Sequence, residues 1–218
     1  MTLVNDLKRI VSAGETNQVE FKIKANHPEK IVKEMVAFAN AKGGVLLIGV
    51  NDDKEIVGLK DPDEEIEVLG KCIRELVWPE IRFEIELIPV NKKRKVVLYK
   101  IRESRNKPHF VNPVPGSKNG TAYFRFQDRT IQASPELLAV IRKRKRHKKG
   151  FLFEYGETEE QVIKSIHSRE IMTIREIAEA TGIEKKYVSK ALVDLVLANV
   201  LEIEPRDGED LYISKQHS

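Results

Sequence analysis

The sequence predicts a mixed-sheet α/β (α+β) domain at residues 1–146, a linker at 147–156, and a small domain of three helices and a β-hairpin at 157–218. Short segments in the first part alternate apolar and polar residues, as half-buried strands do, and apolar residues at helical spacing lie between them. The net charge changes sign near Gly150. Beyond that residue the helical segments are short and begin with capping motifs, which indicates a second domain.

Helices and strands alternate along the N-terminal domain. Residues 45–50 form an uninterrupted apolar run, which predicts a central strand buried on both faces. A turn at 51–54 is expected to lead into a second short strand at 55–58. Ser134, followed by Pro135, fits the start of a helix that continues into the basic residues beyond it. The spacing further predicts helices at 3–11, 28–39 and 64–77, and strands at 19–23, 83–88, 95–101 and 122–126.

The C-terminal domain has a different pattern. Thr158 and Thr173 are each followed three residues later by Gln or Glu, which fits the capping box at the start of a helix. A third helix is predicted at about 184–198, and a hairpin with turn residues at its centre is predicted over 201–214. Three helices followed by a two-stranded wing form the layout of a winged helix-turn-helix domain.

Composition excludes several classes of protein. No apolar run approaches the ~20 residues that span a bilayer, and the N-terminus lacks the order of a secretion signal. The single cysteine, Cys72, cannot form an internal disulfide, and the five histidines are too scattered to complete a zinc site with it. We therefore expect a cytoplasmic protein without a membrane partner.

The charge is distributed unevenly. Residues 151–218 contain eight Lys and Arg against fourteen Asp and Glu, whereas residues 1–150 contain thirty against twenty. Seven basic residues fall within positions 142–149, a segment that we call the basic tract. It predicts contacts with a polyanion through Arg142, Lys143, Arg144, Lys145 and Arg146. The alternative is a solvated helix end, because cations are also favourable near a helix C-terminus.

The first 140 residues resemble the Schlafen/AlbA_2 family. The resemblance is carried by Gly14-Glu15 with the segment 19–22, by residues 37–40, and by residues 43–52. Residues 107–110, 122–126 and 133–137 resemble its later strands and helix. Bacterial and archaeal members are described as DNA-binding or ATP-binding proteins. Animal Schlafen proteins are described as cleaving transfer and ribosomal RNA through three acidic residues, in a core that resembles two such domains.

The resemblance places the three acidic residues at Glu15, Glu20 and Asp52. Glu20 and Lys22 lie two apart on a predicted strand, so they share one face, and Asp52 follows the end of the central strand. Converging carboxylates would hold Mg²⁺ or Mn²⁺ and activate water near a phosphodiester, with Lys22 offsetting phosphate charge. The alternative is a surface ion pair between Glu20 and Lys22 beside an ordinary turn.

Two further motifs bear on function. Gly43-Gly44 precedes a strand without the Lys-Ser/Thr of a phosphate-binding loop, so it offers little support for ATP binding. The third helix of the predicted winged helix would present Lys185, Lys186, Ser189 and Lys190 outward, where its first residues can reach base edges in the major groove. The alternative is a winged helix that binds protein, because residues 151–218 carry a net charge of −6.

The sequence thus favours a DNA-binding transcriptional regulator that forms a homodimer. The alternative is a metal-dependent endoribonuclease acting on structured RNA, in which a homodimer would supply the second copy of the Schlafen-like domain. A third hypothesis, an interaction scaffold, predicts no affinity for nucleic acid.

Overall fold

The computed structural model describes residues 3–117, 119–146 and 154–215. The chain divides into two units, Met1–Ile131 and Gln132–Ser218, and each has its own apolar core. Within the described residues, none of the helices combines the length and the apolar character that a membrane span requires.

The N-terminal unit alternates helices and strands much as the sequence predicts. Its elements in chain order are α1 (Leu3–Ala13), β1 (Val19–Lys22), α2 (Pro28–Asn40), β2 (Gly44–Ile48), α3 (Pro62–Leu76), β3 (Val77–Trp78), β4 (Phe83–Asn91), β5 (Arg94–Ile101), β6 (Phe110–Val111), β7 (Tyr123–Phe126) and β8 (Arg129–Gln132).

A four-stranded mixed sheet organises this unit. Its strand order is β1-β2-β5-β4, with β1 parallel to β2 and the remaining neighbours antiparallel. The parallel pair requires a crossover, and α2 provides it. The prediction of a mixed sheet is therefore confirmed.

The central strand β2 is buried on both faces, as its uninterrupted apolar sequence predicts. Leu46 and Ile48 pack in a core with residues of α2 and α3. Leu47 points to the opposite face, where it packs with Leu7 and Val11 of α1. Helices therefore cover both faces of β2, whereas the edge strand β4 has exposed residues along its length.

The junction between α2 and β2 explains the paired glycines. Gly43 has a φ of +75°, a conformation that side chains other than glycine's rarely adopt. A Cβ there would also lie 2.7 Å from the carbonyl oxygen of Ile101. Both observations tie Gly43 to a tight helix-to-strand connection.

The prediction of a strand at 55–58 is wrong. Only an isolated bridge joins Ile56 to Val50. The side chain of Asn51 accepts a hydrogen bond from the Glu55 amide at 2.8 Å and donates to the Glu55 carboxylate at 2.8 Å, which holds a compact loop instead. The sequence did not predict the strands β3, β6 and β8, and the first two, with two residues each, are too short for a periodic pattern.

The C-terminal unit contains the predicted three helices and hairpin, together with one more helix and one more strand. Thr173 caps its helix as predicted, since its hydroxyl accepts from the Glu176 amide at 3.3 Å, and Gly182 ends that helix with a φ of +70°. Its elements are α4 (Pro135–Arg146), α5 (Glu157–Arg169), β9 (Ile171–Thr173), α6 (Ile174–Thr181), α7 (Lys185–Leu197), β10 (Leu201–Glu204) and β11 (Leu211–Ser214), with β10, β11 and β9 in one antiparallel sheet.

The position of α4 corrects the predicted domain boundary. We expected this helix to close the N-terminal domain at residue 146, but it belongs to the C-terminal unit. Val140 is buried in the core of that unit, against residues of α5 and α7. Apolar spacing identifies a helix but cannot show which core it joins. Most of the predicted linker at 147–156 lies outside the described residues.

Candidate functional site

Three of the four residues predicted for the acidic site, Glu15, Glu20 and Lys22, lie together at β1. Glu15 precedes β1, Glu20 and Lys22 lie on β1, and Asp52 lies in an exposed turn beyond β2. Burial raises the pKa of Glu15, and the negative charges of Glu20 and Asp52 raise it further. The hydrogen bond from the Phe21 amide and the charge of Lys22 oppose these effects. Glu15 is therefore close enough to the other three side chains for their charges to affect its pKa.

Glu20 is buried and fully engaged. Its residue exposure is 6%, and its Oε2 accepts a hydrogen bond from Nη2 of Arg125 at 2.7 Å. Its Oε1 accepts a short hydrogen bond from Nζ of Lys22. A buried carboxylate requires compensation of this kind, because removal from water strongly disfavours an unpaired charge.

Arg125 on β7 is a site residue that the sequence analysis missed. Its side chain is only 2% exposed, and its Cζ lies 4.9 Å from the centroid of the Phe38 ring. The guanidinium also donates to the carbonyl of Thr16 and to Oγ1 of Thr130, both at 3.1 Å. Among the described residues, its Nε has no hydrogen-bond partner. Arg125 thus ties β1 to the β7–β8 hairpin.

Glu34 on α2 is a second residue that the sequence analysis missed. Its Oε1 lies 3.2 Å from Nζ of Lys22, while its buried Oε2 has no hydrogen-bond partner in the described part of the chain. Burial is the main reason that the pKa of Glu34 rises to about 7, and the negative charge of Glu20 adds to the effect. The positive charge of Lys22 opposes the shift. Protonation of this carboxyl near neutral pH relieves the cost of burying it.

Lys22 lies between the two carboxylates. Burial lowers the pKa of Lys22, but the carboxylates of Glu34 and Glu20 more than offset this and raise it above the usual value. The ammonium is therefore retained. Together Glu20, Lys22, Glu34 and Arg125 form what we call the buried charge network, with two acidic and two basic side chains.

These donors do not fit a resident divalent cation as they are arranged. Each carboxylate oxygen of Glu20 already accepts a hydrogen bond from a cationic side chain. Within the described ranges, no group of three or more His, Cys, Asp and Glu side chains is placed to hold a metal ion. Mg²⁺ requires several available oxygen ligands in octahedral geometry. The metal role of Glu15, Glu20 and Asp52 stays a prediction that this geometry does not favour.

The C-terminal unit presents a separate group of basic side chains at the start of α7. Lys185, Lys186 and Lys190 are exposed, while Val188 on the opposite face is fully buried. The ammonium of Lys186 lies 4.6 Å from the ring centroid of Tyr187, which is itself half-exposed. The structure therefore places the three predicted lysines together on one accessible surface.

Ser189 lies in a different environment from these lysines. Its hydroxyl donates to Oε1 of Glu136 on α4 at 2.6 Å, and its side chain is partly buried. Because this hydrogen bond joins α7 to α4, Ser189 is engaged within the unit rather than presented outward as predicted.

The basic tract is similarly divided. Nζ of Lys143 lies 2.7 Å from Oδ1 of Asp194, a buried carboxylate on α7. Arg142, Arg144 and Lys145 are exposed, and Arg142 has an interaction of its own. The side chain of Arg146 lies outside the described part of the structure, as do the last residues of the tract. Lys143 therefore has a structural role, and the exposed members are the ones available to a polyanion.

The missed residues differ in how much signal the sequence carried. Glu34 lies three residues after Ile31 on the apolar side of α2, so its burial could have been suspected. Arg125 alternates with Phe124 and Phe126 on a short strand, a pattern that favours a solvent-facing arginine. Its burial is favourable because it pairs with Glu20 on β1, which lies 105 residues earlier in the sequence.

The fold and the buried charge network define a mixed α/β domain followed by a separate helical unit. The sequence model of the family described as Schlafen, AlbA_2 matches residues 15–134, more than half of the chain. The chain belongs to this family, and the predicted resemblance is confirmed for that segment.

Similar proteins include a curated relative, an uncharacterised ATP-binding protein of Ureaplasma parvum, which is 28% identical over 165 residues. The match covers 66% of this chain and 46% of that protein, so the chain spans less than half of the relative's length. A second similar protein, from Nitrosomonas europaea, is related to the ATP-dependent DNA helicase RecG, and the solution structure of its N-terminal domain is 25% identical to this chain. The match has a TM-score of 0.42 and covers 55% of this chain and 88% of that one. A crystal structure from Corynebacterium diphtheriae is 15% identical with a TM-score of 0.43, over 76% of this chain and 34% of that one.

Proposed function

We propose that this protein binds nucleic acid and acts as a DNA-binding transcriptional regulator through its C-terminal unit. The observation that carries the proposal is the surface formed by Lys185, Lys186 and Lys190 at the start of α7. The rest of that helix is buried in the unit's core, so its first two turns are the part that can enter a major groove.

The order of elements supports a winged helix-turn-helix domain. Helix α6 ends at Gly182 in the left-handed conformation, and α7 begins three residues later. The β10–β11 hairpin follows as the wing. In this arrangement α7 is the recognition helix and α6 the helix that crosses the DNA backbone. A homodimer, which we include in the proposal, would align two such helices with a palindromic site.

The net charge no longer opposes DNA binding once α4 is counted with this unit. Residues 151–218 alone carry a net charge of −6, but residues 132–218 contain fifteen basic and fifteen acidic residues. The overall repulsion from DNA that the negative segment suggested is therefore removed.

ATP binding has little support in this chain, although the curated relative is described as an ATP-binding protein. Gly43 serves a tight helix-to-strand connection, which accounts for the paired glycines without a phosphate-binding role.

The experiment is a titration of the full-length protein into fluorescently labelled duplex DNA, followed by anisotropy at several salt concentrations. We expect measurable affinity, and we expect Lys186→Gln with Lys190→Gln to lower the slope of log K against log[salt] by up to about 1.8, at about 0.9 per phosphate contact. Lys164→Gln, which removes an exposed lysine of α5, is the matched control. Equal effects of the two sets of variants, or no binding by the wild type, would contradict the proposal.

A second candidate function is the metal-dependent endoribonuclease. The observation in its favour is that the Phe21 amide donates to Oε1 of Glu15 and so holds this carboxylate at β1, the strand that carries Glu20 and Lys22. Both oxygens of Glu20 accept hydrogen bonds from cationic side chains, so this carboxylate is not available to a metal ion as arranged. Incubation with labelled transfer RNA and Mn²⁺ tests this candidate. Cleavage by the wild type that is lost in Asp52→Asn, an exposed position, would support it.

A further inference from the structure

The wing carries an acidic side chain between two basic ones. Glu209, just before β11, has its Oε2 3.6 Å from Nη2 of Arg175 and its Oε1 3.6 Å from Nζ of Lys185. Arg175 lies in the first turn of α6, and Lys185 is the first residue of α7. One carboxylate thus bridges the starts of both helices of the proposed helix-turn-helix.

This bridge is loose. A separation of 3.6 Å is longer than a hydrogen bond, and the side chains of Arg175 and Lys185 are 69% and 62% exposed. Neither side chain donates a hydrogen bond to any acceptor within the described residues. Exposed ion pairs of this kind contribute little to stability. Both cations therefore keep their capacity to bind another anion.

The geometry suits a phosphodiester. The two carboxylate oxygens of Glu209 face different cations, and the two non-bridging oxygens of a phosphodiester can make the same pair of contacts. Arginine and lysine are the usual ligands of backbone phosphates, and α6 is the helix expected to cross the DNA backbone. An incoming phosphate would release Glu209 to solvent, toward which it is already 28% exposed.

We propose that Arg175 and Lys185 form a binding site for a DNA backbone phosphate, and that Glu209 occupies this site in the free protein as an internal counter-ion. The inference rests on the proposed function of the C-terminal unit and adds Arg175 of α6, with Glu209 as counter-ion, to the lysine surface at the start of α7. Since Glu209 competes with the phosphate, it lowers affinity for any backbone. The wing thereby limits non-specific binding.

The test compares single variants of the full-length protein with labelled duplex DNA. Glu209→Gln removes the competitor and should tighten binding by about threefold, the effect of an exposed ion pair. Glu202→Gln, which removes an equal charge from an exposed position of the same hairpin, should change affinity by less than about 1.5-fold, because solvent and salt screen it. Arg175→Gln and Lys185→Gln should each weaken binding and lower the salt slope by about 0.9.

The result that overturns the inference is an equal effect of Glu209→Gln and Glu202→Gln, or unchanged binding in Arg175→Gln. If the wild type binds no duplex DNA, the proposed function fails, and inorganic phosphate then decides the fate of the site. Phosphate should shift the amide resonances of residues 174–176, 185 and 209 at lower concentration in Glu209→Gln than in Glu202→Gln. The shifts should disappear in Arg175→Gln, and identical titrations of all variants would exclude the site.

Discussion

The guanidinium of Arg125 donates a hydrogen bond of 2.7 Å to Oε2 of Glu20, a residue 105 positions earlier in the sequence. Both side chains are almost completely buried. The pair joins β1 at one edge of the mixed sheet to the β7–β8 hairpin. Since two of the predicted site residues, Glu20 and Lys22, belong to the same buried charge network, its stability and any activity there are linked.

Removing one partner of this pair should be costly. In Arg125→Met, Glu20 keeps only Lys22 as a cation, so we expect a loss of about 3–5 kcal/mol in the free energy of unfolding, measured with urea. The double variant Arg125→Met with Glu20→Gln removes both charges and should recover part of that loss. Strict additivity of the two single variants would show that the ion pair contributes no coupling.

The stability of the N-terminal unit should depend on pH through Glu34, whose pKa is raised from 4.5 to about 7. A carboxyl that holds its proton more tightly in the folded state loses stability as pH rises between those two values. Glu34→Gln stays neutral, so its advantage over the wild type should grow across this window and level off above it. The gain at about pH 8 should be at most about 3.4 kcal/mol, at 1.36 kcal/mol per pKa unit. Glu64→Gln, at an exposed position of α3, should follow the wild type in urea unfolding at about pH 5 and about pH 8.

Two neighbouring lysines of the basic tract should behave differently. Lys143→Met leaves the buried carboxylate of Asp194 without its cation, and we expect it to lower the free energy of unfolding by about 2–4 kcal/mol. Lys145→Met, at an exposed position, should stay within about 0.5 kcal/mol of the wild type. Chemical denaturation of both variants provides the comparison. Similar losses would mean that the Lys143–Asp194 contact contributes no more than a surface charge.

The exposed residues of the tract should matter for binding instead. Replacing Arg142, Arg144 and Lys145 with Gln should weaken nucleic-acid binding and lower the salt slope by up to about 2.7, at about 0.9 per lost phosphate contact. Anisotropy titrations with labelled duplex DNA measure both quantities. An unchanged slope would leave these side chains as a solvated helix end.

The corrected domain boundary predicts which fragment folds. A fragment of residues 132–218 retains α4, with Val140 in the core and the hydrogen bonds of Ser189 and Asp194 to α4 intact. A fragment of residues 154–218 exposes that apolar surface and leaves Asp194 unpaired, so it should melt at a lower temperature. Thermal unfolding followed by circular dichroism distinguishes them. Equal melting temperatures would restore the boundary that the sequence analysis predicted at 147–156.

Local patterns predicted most of the elements, because the spacing of apolar residues within a strand or helix indicates which of its faces is buried. The apolar run at 45–50 predicted a strand buried on both faces, and Thr173 predicted the start of the helix α6. The buried charge network could not be predicted in this way, because the burial of Arg125 depends on Glu20, which is far away in the sequence. Similarly, nothing local to α4 shows that Glu136 and Lys143 will meet residues of α7. Long-range polar pairs are the part of a fold that periodicity cannot reveal.

The hydrogen bond from Ser134, the residue before α4, to the buried Asp210 has a consequence for synthesis on the ribosome. The hydroxyl of Ser134 also caps α4 through the Leu137 amide at 3.0 Å, so the first helix of the C-terminal unit is anchored by a residue made 76 positions later. At about 5–20 residues per second, that interval lasts roughly 4–15 seconds. The strands of the N-terminal unit have all been made when this interval begins, whereas α4 has an exposed apolar face until α7 follows and lacks its contact with Asp210 until the end. We therefore expect the nascent chain to be most open to chaperones and proteases at α4 in the period before α7 emerges.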